Sequence, residues 1–179
     1  MRTYLRMNKR HLRFFTWLCA IVFNLLGVSL TAYAQVSDEQ ALLIKLAIND
    51  LVNEYAITRD NGDALGYAGT FAENGSLILF GNTYSNEQLR ERIEAENPNN
   101  LSMHHMTSGT INVIDENNAT GVHYLTLYTG IKDKTQGESS TVYAPNYTVM
   151  GKYHDVYVLT KDGWKFAERK LESIFRSKE

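Results

Sequence analysis

Between residues 35 and 179, the groups able to move a proton or steady a charge are four histidines, nine tyrosines and a few carboxylates at the ends of predicted elements. The chain's one cysteine, Cys19, lies upstream, so this region has no thiolate nucleophile and no sulfur ligand for a metal. It contains no glycine-rich phosphate loop, no Gly-x-Ser-x-Gly elbow and no His-Glu-x-x-His helix. The chemistry left to it is that of imidazole, carboxylate and phenol, which is general acid–base work on a small molecule.

His104 and His105 begin the first long predicted strand, where adjacent residues point to opposite faces. His105 shares parity with Ile111 and Val113, and His104 with Thr110 and Asn112. Without a bulge, His105 therefore faces the core and His104 faces solvent. An inward imidazole needs a hydrogen-bond partner. A backbone group would supply it in a structural role. Asp60 ends the first predicted helix, where the negative end of the helix dipole does nothing for a carboxylate. Arg59 beside it is a structural compensation, and proton handling is the other explanation. Asp63 has a ready role as a cap for the next helix. Asp60 is thus the better functional candidate of the two aspartates, and His105 stays open between a structural and a functional role.

His123, on the parity of Leu125 and Leu127, suits a packed core as well as a pocket wall, while His154 before Asp155 is expected at the surface. No histidine has ligand spacing such as His-x-x-x-His, so no metal site is expected. Tyr55, Tyr84, Tyr128 and Tyr153, with Phe80 and His123, are the candidates for binding substrate in an apolar pocket with a few polar points.

These groups need a scaffold. Ser37 and Gln40 form a capping-box signature, and Ala41, Ile44, Ile48, Leu51, Val52 and Tyr55 make one helical stripe that ends at Asn61-Gly62. Asp63 caps a predicted second helix carrying Leu65, Ala68 and Phe71. Asn74-Gly75 reads as a turn before a strand over 76–80, and Ser85-x-x-Gln88 opens a third helix with Leu89 and Ile93. From Met103 the period changes to two, with strands over 107–114, 119–129, 148–160 and 164–174. Residues 115–118 and 161–163 are hairpin turns, and 132–146 is the longest loop, a rim or lid. Helices first and a strand meander after them predict an α+β domain, with the helices covering one face of an antiparallel sheet.

The chain's near-neutral charge of −2 conceals two unlike segments. Residues 1–34 hold five basic side chains and no acidic one, then an apolar run over 14–30, then Ala32-Tyr33-Ala34. That order predicts a secretory signal cleaved after Ala34, with 35–179 as the exported domain, periplasmic or secreted and without a membrane anchor after cleavage. The domain keeps 13 of the 18 basic residues against all 20 acidic ones, a charge of −7, which argues against nucleic acid as a partner.

Several strings resemble the SnoaL-like branch of the NTF2-like superfamily. They are Leu51-Val52-Asn53-Glu54-Tyr55 with Asp60-Asn61-Gly62-Asp63, then Phe71-Ala72-Glu73-Asn74-Gly75, His105 with Ser108-Gly109-Thr110, Gly151-Lys152-Tyr153-His154-Asp155, and Asp162-Gly163-Trp164 through Arg169. The resemblance implies a cone in which helices and a strongly curved sheet enclose a pocket, and a homodimer. The strings around Asp60 and His105 are similar to those of the scytalone dehydratases, whose Asp–His pair maps onto these two residues. It implies His105 as proton shuttle and Asp60 as the group that orients it. The chain departs from that pattern where Arg59, Phe80 and Tyr128 or Thr129 replace expected tyrosines and a histidine, so Tyr128 or Tyr153 would supply the hydroxyl instead.

The reading is an exported, cofactor-independent lyase or isomerase acting on a small apolar hydroxy-carbonyl compound. The alternative is a non-catalytic exported module that holds a small apolar ligand in the same pocket.

Overall fold

Ser37 Oγ accepts from the Gln40 N–H, and Gln40 Oε1 accepts from the Ser37 N–H, so the expected capping box opens α1 (Asp38–Asp60) in the computed structural model. The structure describes residues 36–132 and 147–177. The predicted signal over 1–34 and nearly all of the predicted rim loop lie outside the described residues. Ile48, Leu51, Val52 and Tyr55 form the buried stripe of α1. Asp63 accepts from the Gly66 N–H and caps α2 (Ala64–Gly69). A second capping box, Ser85 with Gln88, opens α3 (Asn86–Glu94), which buries Leu89 and Ile93.

The strands are β1 (Phe71–Leu79), β2 (Asn82–Ser85), β3 (Asn100–Val113), β4 (Asn118–Ile131), β5 (Tyr147–Thr160) and β6 (Gly163–Arg176). They form one sheet in the order β2-β1-β6-β5-β4-β3. Three hairpins join β3 to β6, as the alternation predicts, and the α+β architecture with N-terminal helices on the sheet stands. The sheet is mixed rather than antiparallel throughout, because β1 runs parallel to β6. After the β1–β2 hairpin, α3 carries the chain to the far edge, and three reversals bring β6 back beside β1 in the same direction. Phe71 begins β1 instead of lying on the second helix. Asn74-Gly75 is not a turn but sits within β1, whose register against β6 slips between Phe71 and Ser76.

Bulges on β3 and β6 reset which side chains face the helices at the site. On β3, Met106 pairs with Leu125 but Gly109 pairs with His123, so Thr107 and Ser108 together oppose Tyr124. On β6, Phe166 pairs with Tyr157 and Glu168 with Val156, leaving Ala167 as the extra residue. An extra residue shifts the alternation by one, so everything beyond it turns to the other face. The core between helices and sheet collects Ile48, Tyr55, Phe71, Leu77, Leu125, Tyr153 and Phe166 among others.

Candidate functional site

The end of α1, the C-terminal part of α3 and the inner face of β3–β5 surround a cavity of about 670 Å³. Asp60, Ser102, His104, Tyr55, Tyr67 and Tyr153 contribute its polar lining, and Leu79, Leu127, Val149 and Leu171 part of its apolar wall.

Asp60 meets His104 twice. Its Oδ1 lies 2.6 Å from His104 Nδ1, and its Oδ2 accepts the His104 backbone N–H at 2.7 Å. Ser102 Oγ donates to Oδ1 at 2.9 Å. The imidazole is 5% exposed and the carboxylate 21%. Burial by itself raises the Asp60 carboxyl, but the His104 ring and backbone bonds together with Ser102 outweigh it and hold Asp60 below its ordinary value. The carboxylate is therefore ionised and locks the ring through Nδ1. Among the described residues His104 Nε2 has no hydrogen-bond partner, and it is the ring nitrogen left for a ligand.

Arg59 does not compensate Asp60. It makes a two-point contact with Glu96 instead, which ties the end of α1 to the segment after α3.

His105, expected inward, faces out. The β3 bulge is the reason. Ile111 and Val113 set the inward parity only beyond Gly109, and before it the inward set is Ser102, His104 and Met106. His105 is exposed, with its ring edge-on to Tyr128 at 5.6 Å on the outer face of the sheet. Tyr128 is accordingly not in the cavity either. Tyr84 is half-buried against the core under Arg92, and His123 is buried away from the cavity. Of the residues named from sequence, the structure brings Asp60, Tyr55, Phe80 and Tyr153 to the cavity. Phe80 stands at its edge in the β1–β2 turn, where Phe80 and Gly81 both adopt positive φ, 50° and 86°. A bulky side chain pays about 1–3 kcal/mol for that conformation.

Beneath the dyad lies a cluster of phenols. Tyr55 Oη is 3.2 Å from Tyr153 Oη, and Tyr67 Oη donates to Tyr55 Oη at 3.4 Å. Three hydroxyl protons and two contacts leave one proton to offer a ligand. The Tyr55 ring also stands edge-on to His104, 6.0 Å away, so the phenols and imidazole share one chamber. Burial pushes Tyr67 and Tyr153 well above the ordinary phenol range, which keeps them neutral donors.

A second Asp–His pair is sealed behind the phenols. Asp155 Oδ2 accepts from Tyr157 Oη at 2.8 Å and from Arg169 Nη2 at 3.2 Å, and lies 3.2 Å from His123 Nδ1. Arg169 is fully buried, with its guanidinium 4.2, 4.1 and 4.3 Å from the ring centres of Tyr55, Tyr153 and Phe166. Its Nε lies 3.0 Å from Asp155 Oδ1 but out of line for a hydrogen bond, and its Nη1 has no acceptor among the described residues. Gly109 makes room for the other partner, since a Cβ there would run into the His123 ring. Trp164 and Phe166 alone would place Arg169 on the outer face; the extra residue Ala167 turns it inward. The sequence reading missed His104, Tyr67, Asp155 and Arg169 as site groups. Only a bulge signal at Ser108-Gly109 or Ala167 would have revealed the histidine and the arginine. No three His, Cys, Asp or Glu side chains converge to hold a metal among the described residues.

The model of the SnoaL-like domain matches residues 40–170. The chain belongs to the SnoaL-like family. No functionally curated protein matches this SnoaL-like chain significantly in sequence. Among solved structures it is similar to a putative scytalone dehydratase from Novosphingobium aromaticivorans, with 17% identity and a TM-score of 0.65 over 79% of this chain and 91% of that one. It is similar to the hexachlorocyclohexane dehydrochlorinase LinA-type3 from Novosphingobium barchaimii, with 16% identity and a TM-score of 0.63 over 79% and 93%. A Mycobacterium tuberculosis protein of unknown function shares 24% identity and a TM-score of 0.62 over 74% and 77%. These likenesses establish the NTF2-like fold of the SnoaL-like domain; its chemistry has to be argued from its own residues.

Proposed function

We propose that this SnoaL-like domain is an exported small-molecule enzyme of lyase or isomerase type, using Asp60 and His104 to move a proton on an apolar hydroxy-carbonyl substrate. One observation carries the reading: Asp60 holds His104 through Nδ1 at 2.6 Å and leaves Nε2 free at a cavity wall. The base Nε2 takes a proton from the carbon α to the carbonyl, and the ionised Asp60 stabilises the imidazolium that forms. The electron pair moves onto the carbonyl oxygen, which accepts the spare hydroxyl hydrogen of the Tyr153–Tyr55–Tyr67 set. Re-formation of the carbonyl then expels the β-hydroxyl, which leaves as water with the proton from His104. Return of that proton to a different carbon gives an isomerase instead. The names of the dehydratase and the dehydrochlorinase among the similar structures agree with elimination chemistry.

Export rests on the order basic, apolar, small-x-small in residues 1–34, and fractionation of the native host with an antibody to the domain tests it. A homodimer would cover the exposed Met103, Tyr124, Tyr128, Met150 and Val156, and sedimentation equilibrium tests that.

The decisive experiment compares His104→Gln with His105→Ala, using solvent-deuterium exchange into a panel of aryl β-hydroxyketones followed by NMR. His104→Gln is expected to abolish exchange and His105→Ala to preserve it. Undiminished exchange in folded His104→Gln sinks the reading and leaves the pocket as a ligand-holding site.

A further inference from the structure

Arg169 is an oddity that packing does not explain. A fully buried cation normally saturates its donors, yet Arg169 spends its charge on one carboxylate and three aromatic rings and leaves Nη1 without an acceptor among the described residues. Two of those rings, Tyr55 and Tyr153, carry the hydroxyls that meet at the cavity floor. The third phenol, Tyr67, is not stacked on Arg169 but lies under the Arg59 guanidinium at 5.9 Å.

Resting on the enolate reading above, we propose that Arg169 is a positioning residue, set by Asp155 against the Tyr55 and Tyr153 rings so that their hydroxyls favour an anionic oxygen in the ligand over a neutral one. The physics is direct. A cation about 4 Å from a ring centre, shielded from water, attracts the π-face and fixes both rings. Its field also polarises the O–H bonds, so the one hydrogen the set has spare is a better donor to a negative oxygen. Cooperative donation along Tyr67, Tyr55 and Tyr153 adds to the effect. The charge stays balanced because Asp155 neutralises Arg169 in the resting state. The charged and titratable neighbours are Asp155 behind Tyr153 with Tyr157 and His123 on its carboxylate, His104 beside Tyr55 and Arg59 over Tyr67. Arg169 opposes the upward push of burial on Tyr153.

The proposal requires a preference for oxyanions that depends on Arg169. The probe is para-nitrophenol, whose absorption separates bound phenol from bound phenolate. The wild-type protein is expected to bind phenolate in preference to phenol. The double variant Asp155→Asn/Arg169→Met removes both buried charges together, which spares the fold the cost of one unpaired ion. It is expected to bind nitrophenol but to lose about tenfold of its phenolate preference. Arg169→Lys, which keeps the charge, should retain part of that preference. An unchanged preference in the folded double variant overturns the proposal.

Should the double variant fail to fold, Arg169→Lys decides by the same absorption. Its compact ammonium cannot stack on both rings, so a partial loss of the phenolate preference is expected, and an undiminished preference overturns the proposal. Neither measurement needs turnover. Loss of the dyad reading would therefore appear as undiminished exchange in His104→Gln, and loss of this one as an Arg169-independent spectrum.

Discussion

The molecule contains two aspartate–histidine pairs, and they are built for opposite ends. In the first, Asp60 bonds His104 and Ser102, stays partly exposed and leaves His104 Nε2 at the cavity wall. In the second, Asp155 is already neutralised by Arg169, and His123 Nε2 is buried without a partner among the described residues. The same two side-chain types therefore differ in whether a proton can reach them. A pair that opens onto a cavity can exchange protons with a substrate. A pair sealed beside a cation can only hold position and project a field.

The largest expected effect separates the pairs by activity. His104→Gln should lower exchange into a β-hydroxyketone about 10²–10⁴-fold, with unchanged far-ultraviolet dichroism and melting temperature. The next separates them by stability. Arg169→Ala leaves Asp155 buried and uncompensated, and urea unfolding should report a loss of about 3–5 kcal/mol. A small loss would mean that water reaches Asp155, and the contrast between open and sealed pairs would collapse.

Gly109→Ala forces a Cβ against the His123 ring and should cost about 1–3 kcal/mol by the same measurement. The smallest effect is a pH dependence. Asp60 is held below its ordinary value when folded, so the unfolded chain binds a proton first as the solution is acidified. Its contribution is present at neutral pH and fades as pH falls through the folded-state value. Urea midpoints should consequently fall less steeply on the acid side for Asp60→Asn than for the wild-type protein.

Much of this was legible in the amino-acid order, and the failures share one cause. The capping boxes at Ser37 and Ser85, the cap at Asp63 and the apolar stripe of α1 are local signals, and each marks a helix where it was expected. Asp60 stood out as a carboxylate at the wrong end of a helix. Of the four tyrosines named as pocket candidates from their residue type, Tyr55 and Tyr153 line the cavity and Tyr84 and Tyr128 do not. The error at His105 came from carrying parity backwards through Ser108 and Gly109. Arg169 was hidden by the same mechanism at Ala167. A bulge is stabilised by partners on the neighbouring strand and by what packs against it, such as the His123 ring over Gly109, so no short window of residues declares it. The parallel pairing of β1 with β6 is a long-range choice of the same kind.

The doublet His104-His105, standing just before the β3 bulge, has a consequence for how this lineage can tolerate changes in chain length. Loss of a single residue at 107 or 108 would remove only the extra residue and make the ladder regular, with His104 still opposite Leu127 and Gly109 still opposite His123. His104 would keep facing Asp60 and His105 would keep facing outward. The bulge can therefore be shortened without the chain losing the imidazole opposite that carboxylate.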